Sequence, residues 1–308
     1  MSSIPTKVRE IQDTKRSMEA GSKSISFSQL SLYISCPKRW ERAYILKEAP
    51  YSPNINTCFG TSFHETLQHW LEVFYNEDIK AVKTFDYSNY LLERMKVNYG
   101  HDRELLKENF SNAKELQEFW QDGVAILNYI QKHWSNFFSS QNTFLVGCEV
   151  PILYELKPGF YYKGFIDILT YDEAVDRWKL WDIKTSSRGW DNTVKSDTLK
   201  VSQLILYKHY LAEQFNIDPQ TIDIEYFIVK RKVDENAKYE TVRRRVQEFK
   251  PFSGPKVTKR AVDYISTFIS GALTENGEYQ ERDYETLPSV ESCKWCLFKD
   301  TCKDRYQV

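Results

Sequence analysis

Asp167, Asp182 and Lys184 lie within a short apolar stretch, GFIDILTYDEAVDRWKLWDIK, from Gly164 to Lys184. The stretch reads as a β-hairpin, with Phe165–Tyr171 as one strand, Asp172–Asp176 as the turn and Arg177–Lys184 as the return strand. Strand side chains alternate faces with a period of two, so Asp182 and Lys184 share one face while Trp181 and Ile183 take the other. Asp167 on the partner strand joins them if the register allows. Charged groups inside apolar strands are costly unless they pair or bind a cation. Two readings follow: a buried Asp–Lys ion pair, or a site for a divalent metal ion.

A second group carries metal chemistry of another kind. Cys293, Cys296 and Cys302 place three thiols within ten residues, in the order Cys-x2-Cys-x5-Cys. That spacing points to a metal, and thiolate sites ordinarily want four protein ligands. Cys36 is the best fourth candidate, because a Cys-Pro step at a helix break exposes the thiol. Cys148, in an apolar strand, and Cys58, in a loop, read as ordinary small residues.

The elements that must position these groups are legible in outline. At 308 residues the chain can bury a sizeable core. Its 41% hydrophobic and 28% charged content is ordinary for a globular protein, and a net charge of −1 confines any nucleic-acid binding to local basic patches. The cysteines and the absence of an apolar leader core read as cytoplasmic, and no run is long and apolar enough to cross a membrane. Residues 1–24 read as a flexible tail, and 25–308 as a single domain.

A helix begins near Ser26 or Ser28, with Leu30, Tyr33 and Ile34 on its stripe, and is interrupted at Cys36-Pro37. Trp40, Tyr44 and Ile45 resume the stripe, and Lys38, Arg39 and Arg42 form a basic cluster beside Cys36. Tyr51–Thr57 reads as a loop, and Gly60-Thr61 opens a second helix carrying His64. By itself His64 reads as a core histidine. Residues 86–139 form a helical insertion with breaks near Tyr99-Gly100 and Ser111.

Strands follow at Phe144–Leu156, which holds Glu149, then in the hairpin and at Thr221–Val229, with a fifth over Glu240–Phe249 bearing Arg243, Arg244 and Arg245. Asp197 caps a helix over Leu199–Phe215 that sets Gln203 and Tyr207 on one face, and a last helix starts at Pro255. This order implies an α/β fold with a mixed central sheet flanked by helices. No phosphate-binding loop of a motor enzyme is present.

Together these residues resemble the RecB-type branch of the PD-(D/E)xK nuclease superfamily, and within it the iron–sulfur members such as the AddB nuclease domain and CRISPR-associated exonucleases. The resemblance is carried by Cys36-Pro37 with Trp40 and Tyr44, by Gly60-Thr-Ser-Phe-His64 and by Gly164-Phe-Ile-Asp167. Asp182-Ile-Lys184-Thr185, Gln203-x3-Tyr207 and the terminal cysteines complete it. The first acidic motif departs from the eponymous Pro-Asp, reading Ile166-Asp167.

The resemblance implies a restriction-endonuclease-like fold and a metal-dependent DNA exonuclease acting on single strands or DNA ends. His64, Asp167, Asp182 and the Ile183 main-chain carbonyl would hold Mg²⁺ or Mn²⁺, with Glu149 as a further contact, and Lys184 would orient the attacking water. Cys36, Cys293, Cys296 and Cys302 would hold a 4Fe–4S cluster, zinc being the alternative. Gln203, Tyr207, Lys38, Arg39 and Arg42 would contact DNA. Lys230–Lys232 and Arg243–Arg245 could line its path, with Trp40 and Trp190 as stacking surfaces. A helicase or integrase partner is implied for some members. The alternative functions are a catalytically idle DNA-binding or assembly subunit and an adaptation nuclease that depends on integrase partners.

Overall fold

The hairpin forms as its alternation requires, and a six-stranded sheet grows from it. A computed structural model describes residues 4–14, 17–18, 21–77, 79–138 and 142–306. Strand β3 (Phe160–Asp172) turns back into β4 (Arg177–Ser186), with Asp172 opposite Arg177 and Ile168 opposite Trp181. Strand β2 (Thr143–Lys157) pairs antiparallel along the whole of β3. On the other side of β4, β5 (Ile222–Lys230) runs parallel and β6 (Val246–Phe249) antiparallel to β5.

The second edge of β3 is shared. Short β1 (Lys23–Ile25) pairs parallel with Phe160–Tyr162 at one end, and β4 pairs with Ile168–Asp172 at the other. Lys163 to Asp167 therefore face a gap in the sheet.

Helices cover both faces. One core cluster joins the sheet to α2 (Phe27–Ser35), α9 (Thr198–Phe215) and α11 (Pro255–Ala272), through side chains such as Leu30, Leu204 and Phe268. The other joins it to α4 (Ile55–Asn76), α6 (Tyr87–Leu106) and α7 (Ala113–Lys132), through Phe63, Leu91 and Ile126. A Cβ on Gly123 would lie 2.5 Å from Leu91 and 2.9 Å from Phe59, so glycine permits this close packing of α7. The remaining helices are short: α1 (Thr6–Asp13), α3 (Pro37–Trp40), α5 (Ile79–Thr84), α8 (Asn192–Ser196), α10 (Glu240–Arg243) and α12 (Val290–Lys294). No helix among the described residues is long and apolar enough to cross a membrane.

Several expectations need correction. Within the expected 1–24 tail, α1 buries Val8 and Ile11, and Gln12 donates to the carbonyls of Leu145 and Val146. An i,i+3 apolar pair too short to register as periodic is enough to dock it. Residues 1–3, 15–16 and 19–20 of that tail lie outside the described residues, as do 139–141, where the helical insertion was expected to end.

Helix α4 starts at Ile55 rather than Gly60, because Asn54 and Thr57 close a capping box at its start. Helix α6 runs unbroken through Tyr99-Gly100. The expected strand over Glu240–Phe249 is a turn of helix followed by β6, so Arg243–Arg245 precede the strand.

Candidate active site and cysteine centre

Past Ile168 and Trp181 the strands β3 and β4 part, and the polar residues gather in the opening. The Ile183 N–H, which would otherwise seek a β3 carbonyl, donates to Asp167 Oδ2 at 2.6 Å. On the β2 side, Glu149 holds a left-handed φ of 53°, a conformation that disfavours ordinary residues and collects at functional sites.

Alternation breaks here in both strands. Val150 and Ile166 face the α9 cluster, whereas their neighbours Cys148 and Ile168 face the α4 cluster. Glu149 and Asp167 sit at the reversal.

Helix α4 supplies the other polar side chains. Gly60, His64 and Gln68 lie four apart on one stripe. A Cβ on Gly60 would meet Thr185 Oγ1 at 3.3 Å, so glycine lets the helix lie against the end of β4. His64 Nδ1 stands 3.6 Å from Asp167 Oδ2. Ligand atoms of His64, Glu149 and Asp167 all fall within 4.8 Å of one another, a spacing one metal ion could bridge. Gln68 braces two of them, donating to Glu149 Oε1 at 2.7 Å and to the Asp167 carbonyl at 3.1 Å. Sequence reasoning passed over Gln68; its position four residues after His64 is the signal that could have found it.

On the α9 side, buried Asp182 sets Oδ2 2.6 Å from Lys184 Nζ. Lys184 Nζ also donates to Gln203 Oε1 at 3.1 Å, and Gln203 Nε2 to the Tyr207 hydroxyl at 3.3 Å. The Phe165 backbone hydrogen-bonds Tyr207, which thus occupies the gap beside β3. A Cβ on Gly164 would lie 2.6 Å from the Tyr207 ring, so glycine is required where the ring approaches. The ion pair and the metal-type cluster, alternatives in the sequence, occur side by side.

The electrostatics favour a cation. Burial raises the Asp167 pKa well above the carboxylate range, the neighbouring Asp182 charge raises it further, and Lys184 opposes this in part. Asp182 is also raised by burial, against Lys184. His64 is pushed down to about 4 by burial and by the Lys184 charge, so its imidazole is neutral near pH 7 and free to ligate. A buried carboxylate pair short of positive charge, next to a neutral imidazole, matches the donor set of a divalent ion.

The second centre is a cavity of about 280 Å³ lined by Cys36, Cys293, Cys296 and Cys302. Cys293 Sγ accepts the Tyr306 N–H at 3.4 Å, and this bond outweighs the opposing effect of burial and lowers its pKa toward the ligating thiolate. Cys58 and Cys148 are different. Burial pushes their thiols up to about 11 and about 12, as expected of inert core cysteines.

The expected DNA contacts separate into two groups. Gln203 and Tyr207 reach the site. Lys38, Arg39 and Arg42 instead line the cysteine cavity. Lys38 pairs with Glu41 and Asp283. Arg42 pairs with Glu48, donates to Thr301 Oγ1 and stacks on Phe298. Arg231 and Lys232 pair with Asp122 of α7, and Lys230 is buried. Arg244 and Arg245 pair with Glu240 and Glu235. Trp40 is fully buried against Tyr33 and Phe268, and Trp190 packs on Tyr226, so neither offers a stacking face.

No curated protein matches the chain. The crystal structure of a Eubacterium rectale protein described as "Putative exonuclease" superposes with a TM-score of 0.48 at 10% identity, covering 99% of this chain and 96% of that one. A family model for the PD-(D/E)XK nuclease superfamily matches residues 24–303. The chain belongs to the PD-(D/E)XK nuclease superfamily.

Proposed function

We propose that the protein is a metal-dependent deoxyribonuclease that removes nucleotides from single strands or DNA ends. The observation that carries this reading is the meeting of His64, Glu149 and Asp167 within one ion's reach, beside Lys184, in the opening between β3 and β4. Nucleases of this superfamily use divalent metals. His64, Asp167 and Glu149 would hold Mg²⁺ or Mn²⁺, Asp182 adjoins them, and Ile183 offers its carbonyl on the strand edge where its N–H already meets Asp167. When bound, the ion activates water and neutralises charge on the phosphate. Lys184, held by Asp182 and Gln203, would orient the attacking water and face the developing negative charge. Gln203 and Tyr207 steady the backbone of the strand. Gln68 fixes Glu149 and the Asp167 backbone for ligation.

The four-cysteine cavity would hold a 4Fe–4S cluster. All four thiols line one cavity, and Arg39 on its wall, whose charge already acts on Cys293, would offset part of the negative charge of a thiolate-bound cluster. On that reading the chain would resemble the AddB-type and CRISPR-associated iron–sulfur nucleases, and a motor or an integrase would be a fitting partner.

Titration with Mn²⁺ tests the metal site. Because the metal needs an ionised Asp167 whose pKa is raised, affinity is greatest at high pH. It falls as pH drops through that raised value, and each binding event releases protons. Gln68→Ala should weaken Mn²⁺ binding by about 10- to 100-fold. Binding that is independent of pH and indifferent to Gln68 would remove the ion from this cluster.

A further inference from the structure

The first half of β3 has an uncovered face. From Phe160 to Ile166 burial alternates strictly: Phe160, Tyr162, Gly164 and Ile166 are buried toward α9, while Lys163 and Phe165 are exposed. From Ile168 to Tyr171 every residue is buried, because both faces are covered. Asp167 marks the transition. On this open face Phe165 is the residue next to Asp167, and it is left 44% exposed beside the polar cluster. Pro151 of β2 lies opposite Phe165 and is also exposed, while Lys163 sets Nζ 5.7 Å from the Phe165 ring.

We propose that this ramp is the subsite for a single strand of DNA, with Phe165 stacking the base beside the scissile phosphate and Lys163 holding the phosphate two steps along. The inference rests on the nuclease reading and names its substrate class. Residues two apart in a strand are about 6.7 Å apart, roughly one nucleotide step of an extended strand. Phe165 lies one such step from Asp167 and Lys163 two, so the three match a phosphate at the metal, a base beside it and the phosphate two steps along. An aromatic face paired with a cation is the recognition chemistry of unpaired bases. In a duplex the bases are stacked on one another and give Phe165 no face to meet, so the ramp selects single strands.

The test reads binding apart from cleavage. Affinity for a fluorescein-labelled oligothymidylate would be measured in Ca²⁺, an oxygen-seeking ion, for wild type, Phe165→Ala and Phe165→Trp. Phe165→Ala should lose about tenfold or more in affinity, raise KM without lowering kcat, and melt as wild type does; Phe165→Trp should restore binding. An oligonucleotide with one abasic position placed beside the metal should lose the same factor with wild type and nothing with Phe165→Ala. Unchanged affinity in Phe165→Ala, or an abasic penalty that persists in it, would overturn the proposal. If wild type shows this binding pattern yet cuts nothing, the nuclease reading fails and the strand subsite stands. If wild type cuts and the variant binds equally well, the reverse holds.

Discussion

Asp182→Asn is expected to lower kcat for DNA cleavage by at least about a thousandfold, a loss on the order of 4 kcal/mol of transition-state stabilisation, while the protein keeps its fold. Asp182 is buried, and its charge does two things: it raises the Asp167 pKa and it holds Lys184 at 2.6 Å. The amide removes negative charge from the metal's surroundings and loosens the lysine, so both the ion and the water-orienting group suffer. Stability should move the other way or not at all. Burial disfavours the carboxylate, and Lys184 is partly solvated, so it is not left as a buried unpaired charge. The measurement pairs single-turnover cleavage with a melting curve. An inactive variant with an unchanged or higher Tm is the expected result. Activity within tenfold of wild type would mean that Asp182 serves only as a counter-ion.

Cys296→Ser is expected to have the largest effect on stability. Cys36 stands at the junction of α2 and α3, and the other three thiols lie near the opposite end of the chain. A cluster joining them closes nearly the whole domain into a loop. For loops that long, cross-linking contributes on the order of 5 kcal/mol, against a total stability of about 5–15 kcal/mol for a typical domain. The other ties between the two regions are the Lys38 N–H to the Glu285 carbonyl, Lys38 to Asp283, Arg42 to Thr301 and Phe298, and the buried packing of Trp40 on Tyr279 and Tyr284. Anaerobically purified wild type should be brown, and the variant colourless, poorly soluble and lower melting. A brown variant that melts with wild type would refute the assignment of Cys296 as a ligand. A colourless wild type with bound zinc would replace the cluster with the other metal.

The parts of this molecule legible in its sequence are those governed by local rules. The β3–β4 hairpin follows from period-two alternation, the cap of α9 from Asp197, and the break at Cys36 from the proline that follows it. The pairing of Gln203 with Tyr207 was likewise readable from helical spacing.

What was not legible depends on the third dimension. Nothing in FLVGCEVPILYEL announces that Glu149 takes a left-handed conformation and reverses the faces of its strand. Gln68 looks like any polar helix residue until α4 lies over Glu149. The basic runs at 38–42 and 230–232 looked free because Asp283, Glu48 and Asp122, which pair with them, lie outside the runs, while Glu41 inside the first run meets Lys38 one helical turn away. Trp40 looked available because its burial is supplied by α11, far along the chain.

If the opening between β3 and β4 binds a divalent ion and cuts DNA, the cut must follow the metal. Anaerobically purified wild type would be incubated with end-labelled linear single-stranded, linear duplex and circular single-stranded DNA, in Mg²⁺, in Mn²⁺ and in EDTA. Cleavage of the linear single strand in Mg²⁺ or Mn²⁺, none in EDTA, and an intact circle are expected. Cleavage that survives EDTA, or no cleavage with either ion while DNA binding is retained, would contradict metal-dependent cleavage at this site; the second result would leave the fold as a DNA-binding assembly module.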